Sequence, residues 1–140
     1  MVHEWALAEA IVNTVIELAS KEEAKGIKSV CIVLGELQTI DEETLKYAIN
    51  QLRKNTIMND TEILFEKEKA EFKCLNCGHI WTFDEVKEVI NEDIKEAIHF
   101  IPEAAHAFIK CPKCGSSDYE IVKGRGVWIK SINILKEVKN

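Results

Sequence analysis

No apolar run in this 140-residue chain is long enough to cross a membrane. The first twenty or so residues also lack the basic head and unbroken apolar core of a secretory signal, because Glu9, Asn13 and Glu17 interrupt them. The expected location is therefore the cytoplasm, with no membrane partner. Positive charge is in short supply as well: 18 Lys and Arg stand against 24 Asp and Glu, a net charge of −6. A phosphate backbone demands a basic surface, so no nucleic-acid partner is expected. Low-complexity segments are missing, and no internal repeat is found beyond two short cysteine turns. The length suits one compact domain or a small domain with an inserted metal module.

Those turns are the strongest chemical signal in the chain. Cys74 and Cys77 lie in CLNCGH, and Cys111 and Cys114 lie in CPKCGS. A two-residue spacer lets both thiolates of one tight turn face the same ion, and zinc takes four such ligands in a tetrahedron. Gly78 and Gly115 follow the second cysteine of each pair, where the backbone must turn back with positive φ, and Pro112 pre-sets φ inside the second turn. Two disulfides or one redox-active pair remain as alternatives, but the shared turn chemistry and a reducing compartment favour a structural zinc ribbon. Four thiolates leave zinc no open position for water, and no nucleophile with an evident base appears, so no enzymatic activity is expected. Cys31 is left over, inside an apolar run, and reads as a small core residue.

In chain order, Ala8, Ile11, Val12, Val15, Leu18 and Ala19 recur at helical spacing and predict a helix over about Trp5 to Ala24. Lys21 and Lys25 oppose its negative end, and Gly26 is placed to adopt a left-handed cap. Val30 to Leu34 reads as a buried strand ended by Gly35. Thr39 and Glu42 have capping-box spacing, followed by the stripe Leu45, Ala48, Ile49 and Leu52 of a second helix. Thr61, Ile63 and Phe65 alternate with Glu62, Glu66 and Glu68 in a half-exposed strand that only Leu64 disturbs. After the cysteine module, GRGVWIKSINILKEV is a last strand whose apolar phase slips near Ser131, as at a bulge or in a strand buried on both sides. The fold class expected is α+β, with three strands and two helices over residues 1–70 and 121–140 and an inserted zinc-ribbon-like domain over 71–120.

The insertion is long for a plain ribbon. A short helix is expected after Asp84, carrying Val86, Val89, Ile90, Ala97 and Ile98 and stopping before Pro102. The stretch is acidic, with Asp84, Glu85, Glu88, Glu92, Asp93, Glu96 and Glu103 outnumbering Lys87, Lys95 and Lys110; it reads as a solvated face or a partner contact. His79 stands beside the first cysteine turn, where its ring is within reach of a thiolate or of solvent. His106 reads as packing beside Ala105 and Phe108. Trp5, Trp81 and Trp128 read as core or interface anchors.

The chain begins MVHEWALA. A free amine, backbone amide nitrogens and the imidazole of His3 can close fused chelate rings in one plane, which suits Ni(II) or Cu(II). The alternative is that His3 and Glu4 simply open the first helix, with Glu4 facing its positive end. Taken together, MVHEWALAEAIV, VLGEL, CLNCGH, CPKCGS, HFIPEAAHAF and GRGVWI resemble the HypA family of hydrogenase maturation proteins in its archaeal form, over nearly the whole chain.

That resemblance implies a nickel metallochaperone, with a mixed three-stranded sheet and two helices carrying an N-terminal nickel site and with an inserted zinc domain. It implies the nucleotide hydrolase HypB as a partner and the large subunit of a nickel-iron hydrogenase as a client. By it, His3 and Glu4 take the nickel positions, and Cys74, Cys77, Cys111 and Cys114 take the zinc positions. One departure stands out: the family begins Met-His-Glu, and here Val2 separates Met1 from His3. Removal of Met1 leaves His3 in second place, and an external ligand such as His99 then has a place to fill; retention of Met1 lets the amine, two amides and the imidazole complete the plane. The competing reading is a zinc-ribbon adaptor that docks partners and carries no nickel.

Overall fold

The computed structural model describes residues 2–86 and 90–136, so Met1, Lys87, Glu88 and Val89 of the expectations above lie outside it, as do Glu137 and Val138 at the end of the expected last strand. The chain divides into two compact units: Met1–Ile32, Ile40–Glu66 and Trp128–Asn140 form the first, and Val33–Thr39 with Lys67–Val127 form the second.

In the first unit, helix α1 runs Val2–Lys21, starting and stopping three residues earlier than the apolar pattern suggests. Its end is closed by Glu23 rather than Gly26. Glu23 takes φ 54°, its N–H reaches the Ser20 carbonyl at 3.0 Å, and the Ala24 N–H reaches the Ala19 carbonyl at 2.9 Å. These two bonds are a Schellman closure, which frees Gly26 to begin strand β1, Gly26–Gly35. The Lys25 N–H bonds the Leu135 carbonyl at 2.6 Å. Helix α2, Glu42–Leu52, is capped by Asp41, whose carboxylate accepts the Thr44 N–H at 3.2 Å, so the cap falls two residues beyond Thr39. Thr44 bonds also hold the Asp41 carboxyl below its ordinary range.

Strand β2 is Glu62–Glu68 and the last strand, β6, is Val127–Leu135; the sheet order is β2-β1-β6. Its mixed character follows from bonds at both ends of β1. Thr61 Oγ1 donates to the Ile27 carbonyl at one end and the Glu36 N–H to the Glu68 carbonyl at the other, so β1 and β2 run parallel, as a crossover through α2 requires. Lys25 pairs with Leu135 and Gly35 with Gly126, so β6 runs antiparallel. β1 is central and buried from Ser29 onward, whereas β6 is an edge strand with Trp128 46% exposed, which rules out burial on both sides as the cause of its phase slip. The slip itself is present: Lys130 and Ser131 are both exposed. Ala8, Val15, Val30, Ile32, Leu45 and Ala48 are fully buried.

The second unit is built on a smaller sheet, order β4-β3-β5, from β3 Glu71–Cys74, β4 Ile80–Thr82 and β5 Tyr119–Lys123. Both neighbours of β3 are antiparallel to it. Helix α3 is Phe83–Val86, and α4, Glu92–Phe100, is capped by Asn91, whose side chain accepts the Ile94 N–H at 2.8 Å. The one helix expected after Asp84 is thus two among the described residues, and the second stops at Ile101, whose φ −134° and ψ 92° are the extended values forced by Pro102. A 3-10 turn at Pro102–Ala104 leads into α5, Ala105–Phe108.

The core of this unit is aromatic. Phe72 stacks on Trp81 at 5.6 Å and meets Phe83 and Tyr119 edge-on at 5.3 and 5.8 Å. Leu37, 1% exposed, belongs to the same core. Where the chain enters and leaves, backbones touch: a Cβ on Gly35 would stand 2.4 Å from the Gly124 carbonyl oxygen, and one on Gly124, at φ +92°, would stand 2.6 Å from Ala70 Cα. Neither position admits a side chain.

Candidate metal centres

β3 ends in the first cysteine turn and the loop before β5 contains the second. The two turns have the same construction. Gly78 and Gly115 both sit at φ +79°, and their N–H groups return to the Cys74 and Cys111 carbonyls at 3.0 and 2.8 Å. Cys74 N–H reaches the His79 carbonyl at 2.8 Å and Cys111 N–H the Ser116 carbonyl at 2.9 Å, pinning each turn as a small antiparallel loop. Within each, the amide of the second cysteine points at the sulfur of the first, at 3.4 Å for Cys77 and 3.5 Å for Cys114.

The result is four Sγ atoms all within 4.8 Å of one another. Cys74 to Cys114 and Cys77 to Cys111 are each 3.6 Å apart. Those spacings are far from the ~2.05 Å of a disulfide, and all five cysteines are free. They match the ~3.8 Å edge of a tetrahedron whose metal–sulfur bonds are ~2.3 Å. Thiols this close share protons: Ser116 and Asn76 hydrogen bonds pull Cys114 down, while Cys77, although it accepts the His79 N–H, is driven up by desolvation and by the neighbouring thiols. Four thiolates reach full ionisation together only with a cation among them, so the donor set fits a divalent metal.

The rings flanking this site act as braces. His79 does not turn its ring to a thiolate; Nε2 meets Glu85 at 3.0 Å and the imidazole stacks on Trp81. His106 does more than pack: Nδ1 meets the Ser117 carbonyl at 2.9 Å and the ring stacks on Tyr119 at 4.3 Å. Tyr119, which the sequence reading passed over, donates its hydroxyl to the Ile109 carbonyl at 2.9 Å, and burial pushes its phenol well above the usual range. The alternation of Tyr119 and Ile121 was the available signal for this strand.

At the other candidate site, His3 is exposed and Glu4 is 8% exposed in the first turn of α1. Trp5 meets Tyr47 of α2 edge-on at 6.1 Å, which holds the start of the helix in place. His99 is half-buried in the last turn of α4, in the second unit. Among the described residues the four cysteines are gathered, and no three side-chain donors gather at His3 or at His99. Cys31 is buried, as expected of a core thiol, and desolvation raises its pKa.

A two-unit α+β chain with a four-thiolate metal site and an exposed His3 beside a buried Glu4 at the head of its first helix has the parts of a metal-handling protein. The family model described as "Hydrogenase/urease nickel incorporation, metallochaperone, hypA" matches residues 2–134, and the chain belongs to that HypA family. It is 57% identical over 135 residues to the hydrogenase maturation factor HypA of Pyrococcus furiosus, covering 96% of this chain and 97% of that one. With the corresponding factor of Ignicoccus hospitalis it shares 36% over 124 residues, covering 87% and 88%. The solution structure of the nickel metallochaperone HypA from Helicobacter pylori has the same fold, with a TM-score of 0.62, 21% identity and coverage of 96% and 98%. Membership makes this a metallochaperone of hydrogenase maturation rather than an enzyme. Among the described residues, no helix is long and apolar enough to cross a membrane.

Proposed function

We propose that this chain binds Ni(II) at its N-terminus and delivers it during assembly of a nickel-iron hydrogenase, while Cys74, Cys77, Cys111 and Cys114 hold a structural zinc. The observation that carries the nickel reading is the exposed His3 in a helix that begins at Val2. The first N–H groups of a helix have no carbonyl one turn behind them, so the Val2 and His3 amides are free of the helix ladder. A planar chelate through consecutive amides and the imidazole needs those residues to leave helical φ and ψ. Nickel uptake therefore unwinds the first turn, while Trp5, held against Tyr47, limits how far the unwinding spreads.

Met1 supplies the terminal amine and two amides complete the plane if it is retained; if it is removed, Val2 supplies the amine and one position stays open for an external ligand such as His99. Glu4 is the second family position and lies beside the chelate. The HypB nucleotide hydrolase and the hydrogenase large subunit are the partners proposed for loading and delivery. Zinc suits the closed four-sulfur set, which has no place for a passing ion.

The test is a metal-competition titration of protein whose N-terminus has been verified by mass, run beside an N-terminally tagged form. The native form should show a yellow, diamagnetic planar nickel spectrum that the tagged form lacks, with about one zinc per chain in both. Nickel affinity should fall with decreasing pH before the thiolates release zinc, because amide donors must lose protons. Equal nickel stoichiometry, affinity and spectrum in the tagged protein would overturn the terminal chelate and point to the adaptor reading or to His99 and His106.

A further inference from the structure

β2 lies at the edge of its sheet, so among the described residues no strand lies beside one row of its backbone donors and acceptors. Alternation identifies the row. The Glu68 carbonyl faces β1, where it accepts the Glu36 N–H at 2.8 Å, while the Thr61 carbonyl faces away and is taken by the Arg53 guanidinium. Residues in step with Thr61 therefore point outward, and Ile63 and Phe65 present N–H and C=O to the open edge. Helix α2 runs alongside. Between them is a cleft of about 520 Å³, lined from the helix by Lys46, Ile49, Asn50 and Arg53.

The cations of this cleft are already engaged. Lys46 is 3.3 Å from Glu42 and 5.0 Å from the Phe65 ring centre, and Arg53 holds the Met58 and Thr61 carbonyls. The exposed series of β2 is Glu62, Leu64 and Glu66, the first two also bordering the cleft, with Leu64 43% exposed and Glu66 shared with Lys130 at 3.0 Å. A strand laid along this edge thus meets acid, apolar and acid at alternate positions, and its favourable cross-strand partners are basic, apolar and basic. A second copy of β2 fits poorly: antiparallel pairing centred on Leu64 sets Glu62 against Glu66 twice.

We propose that the β2 edge, backed by α2, is a docking strand for an extended segment of another protein with the pattern basic–x–apolar–x–basic, bound by strand addition. Main-chain bonds to Ile63 and Phe65 supply the attachment, and Glu62, Leu64 and Glu66 read the side chains. None of the residues proposed to hold nickel lines this cleft.

The test titrates a capped peptide, Thr-Lys-Thr-Ile-Thr-Lys-Thr, into the metal-loaded full chain, against the same peptide with Glu in place of Lys. The Lys peptide should bind saturably and slow amide exchange at Ile63 and Phe65 but not at Leu64. The Glu peptide should bind about tenfold more weakly, from two reversed cross-strand pairs. Glu62→Lys should narrow or invert that preference without changing the far-ultraviolet spectrum. Absence of saturable binding, equal binding of the two peptides, or protection elsewhere would overturn the proposal. So would protection of Ile63 and Phe65 without peptide accompanied by a doubled mass, since a second copy would then occupy the edge.

Discussion

The thiolates of the second unit meet across a sequence separation of 40 residues, each turn pinned by its own backbone bonds, whereas His3 and Glu4 are neighbours at the head of a helix. One donor set is assembled by folding and cannot exist without it. The other needs only the start of the chain and a few free amides. On the proposed metal assignments, the contrast teaches how one small protein can hold one ion permanently and another briefly: closure by long-range structure favours retention, and a site at the open head of a helix favours release.

The harshest way to break this contrast is Cys74→Ser. It should release the structural metal, remove on the order of 10 kcal/mol of metal-linked folding free energy, and unfold the second unit while α1 and α2 persist. Metal analysis with residue-resolved NMR checks it; a second unit that keeps its dispersed resonances and its metal would end the structural-zinc reading. Next, His3→Ala should lower nickel affinity by roughly a hundredfold, the equivalent of ~3 kcal/mol, and leave zinc content and melting temperature unchanged. A matching loss of stability would mean that His3 serves the fold.

Gly35→Ala tests the entry to the second unit. A Cβ there meets backbone rather than a yielding side chain, so about 2–3 kcal/mol should be lost, seen as a lower denaturation midpoint. The smallest effect has the opposite sign: Glu23→Gly removes a non-glycine residue from φ 54° and should raise stability by up to ~1 kcal/mol, without touching either metal.

Much of the first unit was legible because its helices and strands have clean apolar periods, and the metal turns were legible because CxxC followed by glycine has few geometric solutions. Caps were read less well. Thr39 and Gly26 had suitable chemistry, but Asp41 and Glu23 fill those roles, because a cap is decided by where the helix must end against its neighbours and several nearby residues can serve. Leu37 was unreadable as a core residue of the second unit: its burial depends on Phe72, Trp81 and Tyr119, which are distant in sequence. Tyr119 opens β5, and its alternation with Ile121 signals a strand but not the packing, which appears only when His106 and Ile109 are beside it.

The place of Leu37 bears on how this protein can be taken apart. A segment from Lys67 to Val127 looks like a cassette that recombination could lift out and paste into another host. It is incomplete. One of its interior side chains is encoded before α2, in Val33–Thr39, so a graft would arrive with a hole and the donor would keep an oily stub in its place. Transplanting the cysteine unit would require a compensating substitution in the recipient, and deleting it would require replacing Leu37 with a polar residue, so the two halves are bound to a shared inheritance.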